Sequence, residues 1–541
     1  MDALLSPTSP PESPAANVAS AETVCFCVSS SSLAGNVVKR CGFARVGFFP
    51  YVFGLLQIRC VGVIELLLRG VGGANIALGA GNIGDLITNL AYQLRLLQTL
   101  LLFLFIENRG ERLVMARLLR RAREKELSKA QTCATKTGHI IKKEGKERMS
   151  VSKLASSAQG LQSSAIRELL KHSKMAGVIS LGGGIPNPQL FDHEGLKIAA
   201  DAVLSQHFGE AFQYGLTEGV PGLREEIQRI CEGRGIACKA DDVVITSGSQ
   251  QSLDVLARAL INPGDIVVVE RPTYLAALQV FGLAQAQFES VGTDGDGMKV
   301  DELEALVANK TIKAVYIVPT FGNPGGVTLS EVRRKQLVEL SKRYDFVIIE
   351  DDPYSEINYT EEVFRPLIAH AKDIGNEDNV VYTSTFSKIL APGTRVGWVL
   401  VPEWLKRAVV NLKQTTDLHT STLSQLMTYE YLKTGRLAGQ ITMIREAYRQ
   451  KYQTFASELE AELGDVMSFH KPKGGMFLWA KMNNGINTTK WLEKTLSNGV
   501  VFVPGEFFYC NDPDHTTLRM SFVTPTDEQL KEAVRRLKAS L

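Results

Sequence analysis

From about residue 243 onward, short runs of apolar residues alternate with segments whose apolar positions recur with a helical period. The apolar runs occupy residues 243–246, 266–270, 313–318, 346–350, 379–384 and 396–401. Strands that are apolar at consecutive positions are typical of a parallel sheet that helices cover on both faces. The pattern therefore predicts an α/β fold with a largely parallel sheet, and a ligand site beyond the carboxyl ends of its strands.

The first 148 residues lack this regularity. Residues 1–35 are rich in Ser, Pro and Ala, and the apolar run within residues 92–106 is shorter than the roughly 20 residues that a membrane-spanning helix needs. We interpret residues 1–148 as an extension without an assigned function, which is either disordered or an apolar or organelle-targeting leader. Membrane contact by this extension is the less favoured interpretation, and upstream sequence wrongly joined to a start at Met149 is a further one.

The composition excludes few classes of function. The chain has 541 residues with 60 basic and 58 acidic side chains, so its net charge of +2 gives no reason to expect a nucleic-acid partner. The eight cysteines are scattered without the paired spacing of a metal site, so we expect no bound metal. Scattered cysteines also favour a reduced compartment, and we expect a cytoplasmic protein, with organelle targeting through residues 1–148 as the alternative.

Two segments that follow apolar runs contain residue types that bind a phosphate. Residues 247–250 (Ser-Gly-Ser-Gln) begin a helical pattern, where free backbone N–H groups and the helix dipole favour an anion. The segment is shorter than the glycine-rich nucleotide motifs, so it suggests one phosphate, although such residues alone are usually only a helix cap. Further along the chain, Thr385, Ser387 and Arg395 have hydroxyl and guanidinium donors that could hold the same phosphate.

The lysine between these donors is the first candidate catalytic residue. Lys388 lies just past an apolar run, among small hydroxyl side chains and shortly before a Pro-Gly turn. A lysine attacks only as the free amine, so its site must lower its pKa by burial or by nearby positive charge. We therefore predict that Lys388 bonds covalently to a phosphorylated ligand.

Polar residues at the ends of other runs complete the set of candidates. Asp351 is the second of three consecutive acids after a run, and a carboxylate there could pair with a protonated pyridine nitrogen, with metal binding as the rival interpretation. Tyr274 could stack on a flat ring, and Asn323 could donate to a phenolate oxygen. Arg519 interrupts an apolar run, and a buried arginine needs a partner, which is either a substrate carboxylate or a structural acid.

From about residue 151 to the C-terminus, the chain resembles the class I/II pyridoxal-phosphate aminotransferases of fold type I, and in particular their 2-aminoadipate/kynurenine/aromatic group. The motifs that carry the resemblance are SLGGGIPNP (180–188), FQYGLTEGVPGLRE (212–225), TSGSQQ, ERPTY, NPGG, EDDPY, FSKILAPGTRVGW, GGMFLW (474–479) and LRMSF. The chain departs from the family at Gly325, where the usual motif is Asn-Pro-Thr-Gly, and at Thr385, where some relatives have serine. The first 148 residues match nothing in the family.

The resemblance implies a role for each matching residue. Lys388 would be the Schiff-base lysine, Asp351 would pair with the pyridine nitrogen, and these two with Tyr354 are the predicted catalytic residues. The predicted cofactor-binding residues contact the ring or its phosphate and are Ser249, Gln250, Tyr274, Asn323, Asp351, Tyr354, Thr385, Ser387, Lys388, Arg395 and Tyr214, the last reaching the neighbouring subunit's phosphate. The predicted substrate-binding residues are Arg519, which would hold the carboxylate, and Asn323, Gly183 and Gly184.

The resemblance also implies an architecture and a reaction. An N-terminal arm (149–190) would precede a large domain (191–410) with a largely parallel seven-stranded sheet and a smaller α+β domain (411–541). A homodimer with shared active sites and bound pyridoxal 5′-phosphate would move an amino group from an aromatic, 2-aminoadipate or branched-chain L-amino acid to a 2-oxo acid such as 2-oxoglutarate. The alternatives are a β-lyase on the same scaffold, a non-enzymatic sensor with a DNA-binding head, and a membrane-tethered module.

Overall fold

The computed structural model describes residues 177–541, together with residues 155, 157 and 175. The predicted extension (1–148) and most of the first part of the predicted arm lie outside these residues. Within the described part of the chain, no helix has both the length and the apolar character needed to cross a membrane.

The apolar runs form a central sheet, which has eight strands within the described residues. In spatial order these are β2 (Val243–Thr246), β9 (Gly397–Leu400), β8 (Val380–Thr385), β7 (Val347–Asp351), β6 (Ala314–Ile317), β3 (Ile266–Arg271), β4 (Gln287–Asp294) and β5 (Gly297–Met298). Strands β8, β7, β6, β3 and β4 are parallel, whereas β9 is antiparallel to both of its neighbours. The predicted α/β fold with a largely parallel sheet is confirmed.

Burial on both faces explains why these strands are apolar at consecutive positions. Every residue of β2, β6, β7, β8 and β9 is buried. In β3, Val267 and Val269 pack into one apolar cluster and Val268 into another, so the two clusters lie on opposite faces of the sheet. Each buried strand thus contributes to two cores.

The sheet differs from the prediction at one edge. Strand β4 did not stand out in the sequence, because it is half-exposed and mixes polar with apolar residues. The two-residue strand β5 folds back antiparallel on the end of β4, pairing Met298 with Thr293, and makes eight strands where seven were expected.

Thirteen α-helices connect and cover the strands within the described residues. They are α1 (His193–Gln206), α2 (Phe208–Ala211), α3 (Pro221–Gly233), α4 (Ser249–Leu260), α5 (Leu275–Leu283), α6 (Val300–Val307), α7 (Glu331–Tyr344), α8 (Leu367–Asp373), α9 (Glu403–Asp417), α10 (Thr422–Lys433), α11 (Leu437–Leu463), α12 (Thr488–Ser497) and α13 (Asp527–Lys538). Helices α4 and α5 pack into the first core cluster, whereas α6, α7 and α8 pack into the second.

A second, antiparallel sheet follows in the C-terminal part of the chain. Its strands in spatial order are β10 (Met467–Phe469), β11 (Phe477–Met482), β14 (Thr517–Ser521) and β13 (Val503–Pro504). A short pair, β1 (Ile179–Ser180) and β12 (Val500–Val501), places the segment after β1 beside β14, where Ser521 N–H donates to the Leu181 carbonyl. The predicted domain boundary at 410/411 falls within α9, and the division into domains remains a prediction.

Candidate active site

The carboxyl ends of the parallel strands bring the candidate residues to one edge of the sheet. Asp351 is the last residue of β7, Thr385 is the last of β8, and Asn323 lies in the loop after β6. Lys388 follows β8 after one short 3-10 turn, and its charge interacts with that of Asp351. The structure therefore brings these candidate residues together at the carboxyl ends of the strands.

Asp351 is buried with only one of its two carboxylate oxygens hydrogen-bonded. Oδ2 accepts a hydrogen bond of 2.9 Å from the hydroxyl of Tyr316, whereas the buried Oδ1 has no hydrogen-bond partner among the residues that the structure describes. Burial raises the pKa of Asp351 to about 7, against the Tyr316 hydrogen bond, which lowers it. A buried oxygen without a partner is costly, and it has the right chemistry for the protonated nitrogen of a pyridine ring.

Lys388 is half-buried and faces the segment after β1. Its Nζ donates to the carbonyl of Gly184 at 2.9 Å. Burial, and after it the positive charges of Arg519 and Arg395, lower the pKa of Lys388 to about 8, while Asp351 opposes them. The lowered pKa increases the fraction of this lysine that is the free amine, which nucleophilic attack needs.

Arg519 lies in the middle of β14 and is almost completely buried. Its guanidinium donates to Asn323 Oδ1 and to the Gly182 carbonyl, each at 2.8 Å, but Nε has no hydrogen-bond partner within the described part of the chain. The rings of Phe477 and Phe508 lie against it, with centroids 4.4 Å and 5.0 Å from Cζ. Two flat rings hold the guanidinium in one plane, which suits a fork-like contact with a carboxylate.

The charge of Arg519 is not matched by an acid within the described residues. Burial lowers its pKa to about 10, and the opposing interactions come from the tyrosines Tyr354 and Tyr274 rather than from a carboxylate. A buried guanidinium that faces hydroxyl groups still has the capacity to bind an anion. This environment favours a substrate carboxylate over the structural ion pair that the sequence left open.

Tyr354 and Tyr274 flank the same space. Tyr354 is buried, hydrogen-bonds with Asn323, and packs edge-on against Phe477 with the ring centroids 5.8 Å apart. Burial raises the pKa of Tyr354 well above its ordinary value, so its hydroxyl stays protonated and can act as a donor. Tyr274 is half-buried immediately before α5 and lies close enough to Tyr354 to affect its pKa.

The predicted phosphate-binding residues lie at the end of β8, in the turns that follow it and at the start of α4, and Thr385 and Ser387 among them are buried. Thr385 Oγ1 and Ser387 Oγ are 2.8 Å apart, and the Ser387 N–H also donates to Thr385 Oγ1 at 3.1 Å. Arg395 is exposed and donates to the carbonyl of Ser247 at 3.0 Å. Ser249 is the half-buried first residue of α4, and Gln250 after it is exposed.

The loop before α4 packs closely against Arg395 and the start of β9, and glycine is needed at this contact. Gly248 has a φ of 82°, which favours glycine, and an added Cβ there would lie 2.5 Å from Nη2 of Arg395. An added Cβ on Gly397 would approach the backbone nitrogen of Ser249 to 2.9 Å. The start of α4, Arg395 and β9 thus pack closely around one small cradle, which fits the phosphate of the predicted cofactor.

Two predicted residues differ in their surroundings from the rest. Tyr214 is 79% exposed and lies edge-on to His419, with the ring centroids 5.9 Å apart, so the structure does not bring it into the site of its own chain. Gly183 is buried in the segment after β1, and Gly184 beside it accepts from Lys388. A Cβ on Gly184 would lie 3.2 Å from Phe477, so this segment passes close above that ring.

Sequence reasoning missed several residues that support the site. Tyr316 gave no signal, because it is one apolar position within a buried strand. Asp417, at the end of α9, accepts from Ser247 Oγ at 3.0 Å and from Gln251 Nε2 at 2.7 Å. About 170 residues separate Asp417 from Ser247, so no local pattern could have connected them. Phe477 lay within a quoted motif, but without an assigned role.

Fold, lysine, carboxylate and arginine together define an enzyme of the aminotransferase type. The chain belongs to the family "Aminotransferase class I and II", whose model matches residues 179–537. Over 390 residues, 71% of this chain and 93% of the relative, it is 42% identical to aromatic-amino-acid aminotransferase 1 of Thermococcus litoralis.

Two solved structures are similar in fold and sequence. One is a Pyrococcus horikoshii kynurenine aminotransferase in complex with PMP, with a TM-score of 0.67 and 39% identity over 72% of this chain and 96% of that chain. The other is an alpha-aminoadipate aminotransferase of Thermus thermophilus in complex with N-(5′-phosphopyridoxyl)-L-leucine, with a TM-score of 0.68 and 34% identity over 72% of this chain and 97% of that chain. These ligands imply pyridoxal phosphate as the cofactor.

The comparisons confirm the predicted family, the fold type and the transfer of an amino group between an amino acid and a 2-oxo acid. The role of each site residue remains a prediction, which the geometry described above supports.

Proposed function

We propose that this chain is a pyridoxal 5′-phosphate-dependent aminotransferase that acts on an aromatic or 2-aminoadipate-type L-amino acid, with a 2-oxo acid such as 2-oxoglutarate as acceptor. One observation carries the assignment of the site. A lysine with a lowered pKa interacts with the charges of two buried groups: Asp351, which has a carboxylate oxygen without a described partner, and Arg519, which no acid among the described residues neutralises. The names of the relatives support the substrate class.

Different residues would contact different parts of the cofactor. When bound, pyridoxal phosphate supplies an electron-withdrawing ring that stabilises negative charge on the substrate Cα. Lys388 would bond to the cofactor, and Asp351 would hold the proton on the ring nitrogen through its free Oδ1. The remaining contacts to the ring and the phosphate would come from Tyr274, Asn323, Tyr354, Ser249, Gln250, Thr385, Ser387 and Arg395.

Lys388 and Arg519 act on the substrate. Arg519, held flat between two rings, binds the carboxylate and fixes the orientation of Cα, while Asn323 supports the guanidinium from the other side. With the cofactor bound, Lys388 would remove the proton from Cα as a general base and would deliver it to the carbon of the cofactor's aldehyde group. Burial supports this role, because it lowers the lysine pKa to about 8.

The exposed position of Tyr214 supports a dimer with shared sites. Phe208, Phe212 and Leu216 nearby are also large apolar side chains that are more than half exposed. An exposed apolar patch of this kind is typical of an interface. In a homodimer, Tyr214 would reach the phosphate site of the neighbouring subunit, so each site would need both copies.

The shared site can be tested by mixing two variants at a cofactor concentration that is too low to load the Tyr214→Ala protein, so that neither variant is active alone. Separately purified Lys388→Ala and Tyr214→Ala proteins are mixed under conditions that exchange subunits. One of the two sites in a mixed dimer then has both wild-type residues, so we expect activity to return to about a quarter of the wild-type value. No recovery, although light scattering shows mixed dimers, would contradict the sharing of sites.

A cytoplasmic location also remains part of the proposal, and mapping the native N-terminus tests it.

A panel of amino donors tests the assigned reaction. The full chain is supplied with pyridoxal 5′-phosphate, 2-oxoglutarate and aromatic, 2-aminoadipate, branched-chain or small amino acids, and glutamate formation is measured. We expect turnover with the aromatic or 2-aminoadipate donors, and a borohydride-trapped adduct at position 388 by mass spectrometry. Release of pyruvate and a thiol without glutamate formation would instead favour the β-lyase. Absence of the adduct would contradict the assignment as a pyridoxal 5′-phosphate-dependent enzyme.

A further inference from the structure

The hydroxyl of Tyr316 is the one described hydrogen-bond donor to the Asp351 side chain. Tyr316 lies in β6 and pairs with Ile349 of β7, two residues before Asp351, so both side chains project from the same face of adjacent strands. Its ring is completely buried and packs against Phe281, with the ring centroids 5.8 Å apart. The position of the hydroxyl is therefore fixed by the strand and by the packing of the ring.

The direction of this hydrogen bond is also fixed. Burial, and after it the negative charge of Asp351, raises the pKa of Tyr316 well above its ordinary value. Tyr316 therefore keeps its proton and donates it to Oδ2, which leaves Oδ1 as the oxygen that is free to contact a ligand.

Other charged groups around Asp351 act in both directions. The neighbouring carboxylate of Asp352 raises the pKa of Asp351, the ammonium of Lys388 lowers it, and Tyr354 lies close by. The Tyr316 hydrogen bond lowers it more than Lys388 does. Among the described neighbours, Tyr316 is thus the main support for the anionic form of Asp351.

We propose that Tyr316 is a positioning residue that keeps Asp351 ionised and directs its free oxygen toward the cofactor ring. This role rests on the proposed function, because it concerns the contact between Asp351 and the ring nitrogen. Removing the Tyr316 hydroxyl leaves the apolar packing of the ring in place but raises the pKa of Asp351, so that Asp351 stays protonated up to a higher pH. A protonated Asp351 can no longer stabilise the charged ring nitrogen, so the cofactor binds less tightly.

The chain offers a matched control in the next strand. Tyr382 of β8 is also completely buried, and its hydroxyl donates to Asp352 Oδ2 at 2.8 Å. Tyr382→Phe therefore removes the same kind of hydrogen bond from the adjacent acid, together with the hydrogen bond that the Tyr382 hydroxyl accepts from Arg234 at 2.7 Å. It should reduce stability at least as much as Tyr316→Phe does, without raising the titration midpoint of Asp351 or weakening cofactor binding.

The first measurement is an infrared pH titration of the cofactor-free protein, in which the protonated carboxyl band of Asp351 is assigned by its loss in Asp351→Asn. In Tyr316→Phe we expect the midpoint to rise by about one to two pH units, the size of a hydrogen bond to a charged group. In Tyr382→Phe we expect no shift. An unchanged midpoint in Tyr316→Phe, or an equal shift in both variants, would overturn the proposal.

The second measurement is the dissociation constant of pyridoxal 5′-phosphate by protein fluorescence across the same pH range. We expect Tyr316→Phe to bind the cofactor about tenfold more weakly near pH 8 and to approach the wild type at higher pH, where Asp351 ionises again. A loss of affinity that is the same at every pH would show a merely structural role and contradict the proposal. The infrared titration tests the role of Tyr316 and needs no cofactor. Absence of a Lys388 adduct in the wild-type protein would refute the proposed function, and this result is independent of the titration.

Discussion

The inner and outer regions of the site differ in how far the protein itself satisfies their polar groups. In the inner region, formed by Lys388, Asp351 and Arg519, the buried Asp351 Oδ1 and Arg519 Nε have no hydrogen-bond partner among the described residues. In the outer region, formed by Thr385, Ser387 and Arg395, each side chain already hydrogen-bonds within the chain. The inner region therefore stores an unfavourable free energy that a ligand can relieve, whereas the outer region is a preformed cradle.

We infer from this difference that the inner region determines the chemistry, whereas the outer region mainly determines the affinity for the cofactor. Substitutions in the inner region should change turnover, substrate affinity, or the pH dependence of stability and of cofactor binding, because those groups are buried and perturbed. Substitutions in the outer region should change cofactor affinity with little effect on the rate at saturation, because those groups are already satisfied. The following predictions test this division, from the largest expected effect to the smallest.

The largest effect is expected for Lys388→Ala, which removes both the covalent anchor and the base. We expect kcat to fall by at least about 10⁴-fold, the upper range for loss of a general base. The measurement is glutamate formation with saturating amino donor and cofactor. Lys451→Ala is the control, because burial also lowers the pKa of Lys451, which lies in α11. A similar loss of kcat in that variant would break the link between activity and the inner region.

The second prediction concerns stability rather than activity. The pKa of Asp351 is raised from 3.8 to about 7 in the folded protein, so its contribution to stability is present below about pH 4 and is lost as the pH rises through 7. In the cofactor-free protein, Asp351→Asn should therefore increase the free energy of unfolding at pH 8 by up to about 4 kcal/mol, with little change at pH 4. Urea unfolding at both pH values measures this difference.

The neighbouring acid provides the opposite case. Asp352 Oδ2 accepts from Tyr382, and Asp352 also faces the guanidinium of Arg234 at 3.8 Å. Asp352→Asn should destabilise the protein at pH 8, because it weakens a paired, buried carboxylate. Effects of the same sign in Asp351→Asn and Asp352→Asn would mean that Asp351 is not strained in the free protein.

The third prediction compares two buried arginines. Arg334 is fully hydrogen-bonded to the carbonyls of Leu329, Arg365 and Pro319 and to the Thr320 hydroxyl, whereas Arg519 has spare donors. Arg519→Lys should lower kcat/KM by about 100-fold, mainly through KM, because lysine keeps the charge but loses the planar fork. Arg334→Lys should leave KM unchanged and destabilise the protein by about 2 kcal/mol.

Steady-state kinetics and urea unfolding on the same two proteins measure both quantities. If Arg519→Lys lowered the free energy of unfolding as much as Arg334→Lys and left KM unchanged, Arg519 would be a structural residue like Arg334.

The smallest effect is expected in the outer region. Arg395→Gln should raise the dissociation constant of pyridoxal 5′-phosphate about tenfold, the size of an exposed charge-assisted hydrogen bond, and leave kcat at saturating cofactor within about twofold. Equilibrium dialysis and saturated rates measure these values. A large fall in kcat at saturation would contradict the division between the two regions.

The sequence predicted the parts of the fold and site that have a local signature. Consecutive apolar positions identified six strands, and the polar residues that follow them mark the site, because parallel strands end at the same edge. Strand β4 was missed because a half-exposed edge strand lacks that signature. Lys388 and Asp351 were found because a lysine or an acid is unusual directly after a buried strand.

Contacts across the chain could not be predicted in the same way. Tyr316 is one more buried residue until the structure places its hydroxyl on Asp351, 35 residues later in the sequence. Asp417 supports Ser247 and Gln251 from the end of a distant helix. In both cases the function of the side chain depends on the register of strands or the packing of a helix, which no single segment specifies.

The hydrogen bond from Lys388 to the Gly184 carbonyl links chemistry to the mobility of the backbone. Arg519 donates to the Gly182 carbonyl in the same segment, so two cationic side chains hold the backbone of three consecutive glycines by hydrogen bonds. When the Lys388 nitrogen is bonded to the cofactor, its hydrogen bond to the Gly184 carbonyl is lost. The occupied enzyme should then be cut by proteases between residues 182 and 186 sooner than the empty one, which makes limited digestion a simple reporter of occupancy.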